Sequence, residues 1–114
     1  MSRSLIERRL VDVTERLKQL RTDLSVHDEQ VAHFAEEADD ARLRSLVSET
    51  PLAEHEHREA ARHAAAIQRG RSDLVEEITR LESTQDELLD QLQALAATPA
   101  SPPPWPAPAA DGTP

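Results

Sequence analysis

The chain has 114 residues, a net charge of −9 and no cysteine. This length allows one domain at most, and an aromatic content of 2% is too low for a broad globular core. The lack of cysteine excludes disulfides, thiolate metal sites and a cysteine nucleophile. No apolar run approaches the ~20 residues that a membrane-spanning helix needs, so we expect a cytoplasmic protein with no membrane partner.

The first predicted element is a helix over about residues 3–47. Its apolar residues recur in alternating steps of four and three, the spacing by which one face of a helix packs against another helix in a coiled coil. The series contains Ile6, Leu10, Val13, Leu17, Leu20, Leu24, His27, Val31, Phe34, Ala38 and Ala41.

A turn is predicted at residues 48–50. Pro51 disfavours helical geometry in the residue before it, and Thr50 is suited to cap the helix that follows. Glu54 lies in the first turn of that helix, where the helix dipole favours negative charge. Leu46 and Leu52 are expected to face each other and close the tip.

The second predicted helix spans about residues 51–97 and repeats the same steps. Its series contains Ala53, His57, Ala60, Ala64, Ile67, Arg71, Leu74, Ile78, Leu81, Gln85, Leu88, Leu92 and Leu95. When the two series are aligned antiparallel, the numbers of opposed residues always add up to 98. The predicted fold is therefore all-α: a long antiparallel two-helix coiled-coil hairpin over residues 1–98.

Residues 99–114 are rich in proline and alanine, a composition that predicts a disordered C-terminal tail. Pro103 and Pro106 have the PxxP spacing and enclose Trp105. The segment is either a short motif for an aromatic-lined groove or an ordinary solvated tail.

A polar layer is predicted within the contact between the helices, which we call the seam. His27 faces Arg71, next to Gly70, and Gln85 faces Val13. This layer acts either as a hinge or pH-responsive joint, or as a device that fixes the register while its long side chains reach water. Residues 25 and 28, Ser and Asp, also have the spacing of a capping box at a helix start.

Negative charge is concentrated around the turn. Residues 1–24 carry a net charge of +2, residues 25–62 carry −6 and residues 63–98 carry −4. This distribution argues against nucleic acid as a partner and matches a basic protein surface, although it would also simply keep a thin hairpin soluble. The candidate interaction residues at the tip are Asp39, Asp40, Leu46, Glu49, Thr50 and Glu54.

Neither a metal site nor a catalytic site is expected. His55 and His57 are two residues apart and point to different sides of a helix, which does not match the His-Glu-x-x-His spacing of zinc hydrolases. A two-helix rod offers no enclosed pocket for catalysis. We therefore expect no enzyme activity, catalytic residue, metal or cofactor.

Residues 36–54 read EEADDARLRSLVSETPLAE. This stretch resembles small actinobacterial coiled-coil proteins without assigned activity, and twelve arginines against the single Lys18 agree with a high-GC genome. The resemblance covers most of residues 1–98 and implies no mechanism.

An antiparallel hairpin with an acidic tip also resembles the coiled-coil arm of Gre-type and DksA-type factors. Those arms enter the secondary channel of RNA polymerase and place carboxylates near the catalytic magnesium. The resemblance implies that Glu49 is the turn carboxylate, with Asp39, Asp40 and Glu54 behind it. The globular or zinc-bearing domain by which those factors hold polymerase has no counterpart in this sequence.

Our leading hypothesis is a non-enzymatic interaction or scaffold module that self-associates or docks on a helical partner. A weak outer stripe of Leu5, Val26, Val75 and Leu89 would pair two hairpins into a four-helix homodimer. The alternative is a transcription-associated factor that inserts the acidic tip into RNA polymerase.

Overall fold

The computed structural model describes residues 2–97, which form two antiparallel helices. Helix α1 spans Arg3–Ser48 and helix α2 spans Pro51–Ala97. At 1.5 Å per residue each helix is about 70 Å long, so the described part of the chain is a rod. The predicted fold class is confirmed. Neither helix has a stretch apolar enough to cross a membrane.

Helix α1 begins with a serine cap. The Ser2 hydroxyl accepts a hydrogen bond from the Leu5 amide at 3.2 Å, and the Ser2 carbonyl accepts one from the Ile6 amide at 3.1 Å. The first bond satisfies one of the amides that have no partner within the first turn of a helix, and the second is the first main-chain bond of the helix. The cap therefore fixes where the rod begins.

The turn consists of Glu49 and Thr50 alone, because Ser48 still belongs to α1. Glu49 adopts the left-handed conformation, with φ 48° and ψ 36°, and its amide donates to the Ser45 carbonyl at 3.1 Å. The Thr50 hydroxyl accepts from the Ala53 amide at 3.1 Å, so Thr50 caps α2 as expected. Each side of the turn thus closes one helix.

Replacing Glu49 with glycine is expected to stabilise the hairpin by about 1 kcal/mol. A left-handed backbone is unfavourable for any residue with a Cβ atom, whereas glycine adopts it without that penalty. Urea unfolding followed by circular dichroism measures the difference. Glu49→Ala is the control, since it removes the carboxylate but keeps the Cβ atom; equal stability of the two variants would contradict this account.

The seam is as the spacing predicts. All eleven predicted residues of α1 are buried or half-buried, and so are all those of α2 except Leu95, which is 42% exposed near the end of the rod. The buried cluster consists of Leu17, Leu20 and Ile78, in the half of the rod away from the turn, and half-buried apolar side chains surround it: Val13, Leu24, Leu74 and Leu81. Burial of this stripe is what holds two helices of this length together.

Contacts across the seam establish the register. The Phe34 ring packs on the His63 ring with centroids 4.8 Å apart, and the Gln85 amide donates to the Thr14 hydroxyl at 3.1 Å. Both pairs lie within one residue of the predicted pairing. The antiparallel alignment predicted from the sequence therefore extends over most of the rod.

Ion pairs join the two helices on both sides of the seam. Arg16 bonds Glu77 at 3.2 Å and Arg21 bonds Glu82 at 3.0 Å. Arg21 lies five residues after Arg16, and Glu82 lies five residues after Glu77. This spacing places the two pairs on opposite sides of the seam. Their side chains are about half exposed, so each pair contributes at most about 1 kcal/mol. They support the register more than the stability.

Two local expectations are wrong. Leu46 and Leu52 do not close the tip, since they are 61% and 67% exposed. After Ala41, the step of four reaches Ser45, which is half-buried, and Leu46 lies about 100° further around the helix. The Ser-Asp pair at positions 25 and 28 starts no helix, because α1 is continuous through it.

The expected outer stripe is also divided between two faces. Val75 and Leu89 lie seven residues before and after Glu82, and therefore on the side of its ion pair with Arg21. Leu5 and Val26 lie 11 residues before and ten residues after Arg16, about three helical turns each way, and therefore on the side of its ion pair with Glu77. The four residues thus do not form one surface for a second hairpin.

Candidate functional site

The turn presents the acidic residues expected at the tip. Glu49 and Glu54 are exposed, and Glu54 lies 4.0 Å from Arg58 of the next helical turn. Thr50 is exposed as well, with its hydroxyl bound to the Ala53 amide. The apex is therefore capped on both sides, and the Glu49 carboxylate forms no ion pair within residues 2–97.

The outer face of α1 ends in an apolar stripe next to the turn. Leu43, Leu46 and Val47 are 53%, 61% and 85% exposed. Their spacing of three and four places them on one face of the helix, and α2 does not cover that face. Leu52, 67% exposed, lies just across the turn. We call these four residues the apolar tip patch.

Acidic residues continue the same face away from the turn. Glu36, Asp39 and Asp40 precede Leu43 by seven, four and three residues, so their side chains lie in line with the apolar stripe. All three are exposed, and none forms an ion pair with any residue that the structure describes. We call these three the acidic row.

Basic residues flank this face without interrupting it. Arg42 lies three heptads after Arg21, and Arg44 lies four heptads after Arg16, so the two arginines follow the two sides on which α1 bonds to α2. The outward direction itself carries only the acidic row and the apolar stripe. The face is thus divided lengthwise into one charged half and one apolar half.

The polar layer of the seam is present, but its partners differ from those expected. Arg71 lies opposite His27 in the register, but its side chain donates to Asp28. Nδ1 of His27 donates to the Asp23 carbonyl at 3.0 Å, and the His27 ring lies beside Gly70. No buried side-chain nitrogen or oxygen atom in the described residues lacks a hydrogen-bond partner. The layer is therefore a satisfied part of the packing.

Replacing Gly70 with alanine is expected to stabilise the hairpin by about 1 kcal/mol. Glycine within a helix is unfavourable by about that amount, and an added Cβ atom would meet the His27 ring at 3.8 Å, an ordinary van der Waals distance. Thermal unfolding measures the gain. Destabilisation by Gly70→Ala would show that this layer needs flexibility and would favour the hinge interpretation.

The remaining predicted residues lie in the seam or outside the described part of the chain. Gln85 bonds Thr14 within the seam, which is a structural contact. Within residues 2–97, no three His, Cys, Asp or Glu side chains are grouped so as to hold a metal ion. The tail motif of Pro103, Trp105 and Pro106 lies outside the described residues.

Part of the exposed surface at the tip was not predicted from the sequence. The prediction named Leu46 but not Leu43 or Val47, and it placed Leu46 and Leu52 inside the contact. The steps from Asp39 and Asp40 to Leu43, and from Leu43 to Leu46 and Val47, would have revealed the outer face. The stronger seam pattern on the opposite side of α1 obscured it.

The chain was compared with protein families, with curated proteins and with solved structures. None of the three comparisons found a match. The geometry of the hairpin is therefore the basis for proposing a function.

Proposed function

We propose that this protein is a non-enzymatic interaction module of the cytoplasm: a stiff helical hairpin that docks on a protein partner through the end that carries the turn. The observation that carries this proposal is the apolar tip patch. Its four large apolar side chains lie within ten residues of the chain, and each is more than half exposed. Contiguous apolar surface of this kind in a water-soluble protein is typical of an interaction site.

The patch is not needed for closing the hairpin. Ala41 and Ala53 are buried at the last contacts before the turn, and half-buried Ser45 completes them. Leu46 and Leu52 point elsewhere, so the hairpin folds without their burial. Other exposed apolar residues, such as Val11 and Val26, lie singly among polar neighbours, which is ordinary for a protein surface.

The rod supports docking by its end. Two helices joined by two residues and packed along one seam hold the patch at one end of a rod about 70 Å long. Self-association through the helix sides has less support, because the expected outer stripe is divided between two faces. The simplest function for this shape is an arm that binds its partner through the end that carries the apolar tip patch.

A photo-crosslinking experiment tests the proposal. A photoreactive amino acid replaces Leu52 in the full chain, and proteins trapped in native lysate are identified by mass spectrometry. We expect a protein whose capture is abolished by Val47→Glu and kept by Val11→Glu. The two valines are 85% and 60% exposed, so neither change should unfold the hairpin. Equal capture by both variants would refute docking through the tip.

A second candidate function is insertion into RNA polymerase in the manner of the Gre-type and DksA-type arms. One observation favours it: Glu49 holds a free carboxylate at the apex in a left-handed backbone, and such strain often accompanies function. In that case polymerase subunits would be trapped, and Glu49→Gln would abolish the effect on transcription. Capture that survives Glu49→Gln and ends with Val47→Glu would favour the general docking function.

A further inference from the structure

We propose that the outer face of α1 between residues 36 and 47 enters an apolar groove of a protein partner, and that lysines or arginines line the end of this groove that receives the acidic row. The inference depends on the proposed function and specifies the chemistry of the partner. It commits to a protein groove in preference to a second copy of this chain or a membrane surface.

The apolar half of the face has the geometry of a helix that binds in a groove. Such helices present anchors at spacings of three and four, and Leu43, Leu46 and Val47 have this spacing. Their exposed fractions rise towards the turn, from 53% to 85%. A groove that covers them removes from water the large apolar surface that the hairpin leaves exposed.

The acidic half gives the face a direction. Glu36, Asp39 and Asp40 lie only on the side of the stripe away from the turn, and no lysine or arginine lies in line with them. A matching groove therefore needs positive charge at one end and apolar lining at the other. Such charge complementarity increases the rate of association and excludes partners that approach in the reverse orientation.

The same charges disfavour the other occupants. Two copies of the face would oppose either the two acidic rows or one acidic row and one apolar stripe, and only the flanking Arg42 and Arg44 could compensate the carboxylates. An anionic lipid surface would repel the acidic row, since such surfaces attract lysine and arginine. Charge complementarity thus selects a basic-ended groove on another protein.

The test uses the crosslinker at Leu52 again, in the full chain, with two charge-reversal variants. Asp39→Lys with Asp40→Lys reverses part of the acidic row. Asp12→Lys with Glu15→Lys makes the same change in net charge on exposed residues near the other end of α1. Helicity by circular dichroism should be unchanged in both, because all four positions are exposed.

We expect the tip-dependent capture to fall at least about tenfold with the first variant and to persist with the second. It should also fall as salt rises from 50 to 500 mM, because salt screens exposed charges. A second crosslinker, at Glu36, should attach to partner segments that contain lysine or arginine.

The possible failures are distinct. Capture that depends on Val47 but not on Asp39 and Asp40 would overturn the basic-ended groove and leave the proposed function intact. Capture that does not depend on Val47 would overturn both the basic-ended groove and the proposed function. Crosslinks between two copies of the chain, or cosedimentation with phosphatidylserine vesicles that Val47→Glu abolishes, would replace the protein groove with those occupants and overturn the inference.

Discussion

Truncation of Leu17 to alanine should lower the free energy of unfolding by about 3 kcal/mol. Leu17 is fully buried in the seam, where it packs with Leu20 and Ile78. Removal of a buried leucine side chain costs its transfer free energy together with the cavity that remains, in the range of about 2–5 kcal/mol. Small domains have a total stability of about 5–15 kcal/mol, so this single change should remove a large part of it.

Urea unfolding followed at 222 nm measures this loss, and Val11→Ala is the matched control. Val11 is on the same helix but 60% exposed, so its truncation should change the stability by less than about 0.5 kcal/mol. Similar losses for the two variants would mean that the seam is not the main source of stability.

Amide hydrogen exchange should be slowest around Leu17, Leu20 and Ile78, and at least about tenfold faster in the half of the rod next to the turn. Within residues 2–97, five of the seven buried side chains belong to the half of the rod away from the turn: Ile6, Leu17, Leu20, Ile78 and Leu88. The buried residues next to the turn are Ala41 and Ala53. Because stabilisation scales with buried apolar area, the half next to the turn should open at lower free-energy cost.

Exchange of the full chain, measured by mass spectrometry after peptic digestion, gives this profile directly. Leu17→Ala serves as a control, because it should accelerate exchange in the segment around Leu17 and narrow the difference between the halves. Uniform protection from residue 10 to residue 90 would show that the hairpin opens as one unit and would contradict local opening near the turn.

The seam was predictable because its pattern is long and nearly uninterrupted. Steps of four and three over 35 residues of α1 specify one face of a helix, and the matching steps in α2 leave one antiparallel alignment that satisfies both. Thr50 and Pro51 marked the turn for independent reasons, capping and the fixed φ of proline. Agreement among these signals is why the fold followed from the sequence.

The sequence predicted side-chain contacts poorly where the apolar spacing stopped and where a long side chain could reach more than one partner. The seam ends at Ser45, a polar residue, so apolar character misleadingly pointed to Leu46. Arg71 was assigned to His27 by position, whereas a flexible guanidinium reaches the neighbouring carboxylate of Asp28. Register predicts which backbone positions are opposed, but side-chain charge and reach decide which atoms meet.

The candidate site was only partly predictable for a related reason. Asp39, Asp40 and Leu46 were identified from charge and position, but their common face became clear only when the side of α1 that contacts α2 was known. A surface is defined by what the rest of the molecule leaves uncovered. Leu43 and Val47 became candidates once the seam accounted for Ala41 and Ser45 without them.

The two-residue turn constrains how this protein can change in length. Since the helices run back on each other without slack, an insertion in α1 must be matched by an equal insertion in α2. Only paired insertions of seven residues keep the apolar faces in phase, and each would move the tip by about 10 Å. Deletion of a single residue would rotate all side chains after it by about 100°. The residues on one side of the deletion would then no longer share a seam or an outer face with those on the other side. The reach of the arm can therefore change only in discrete steps.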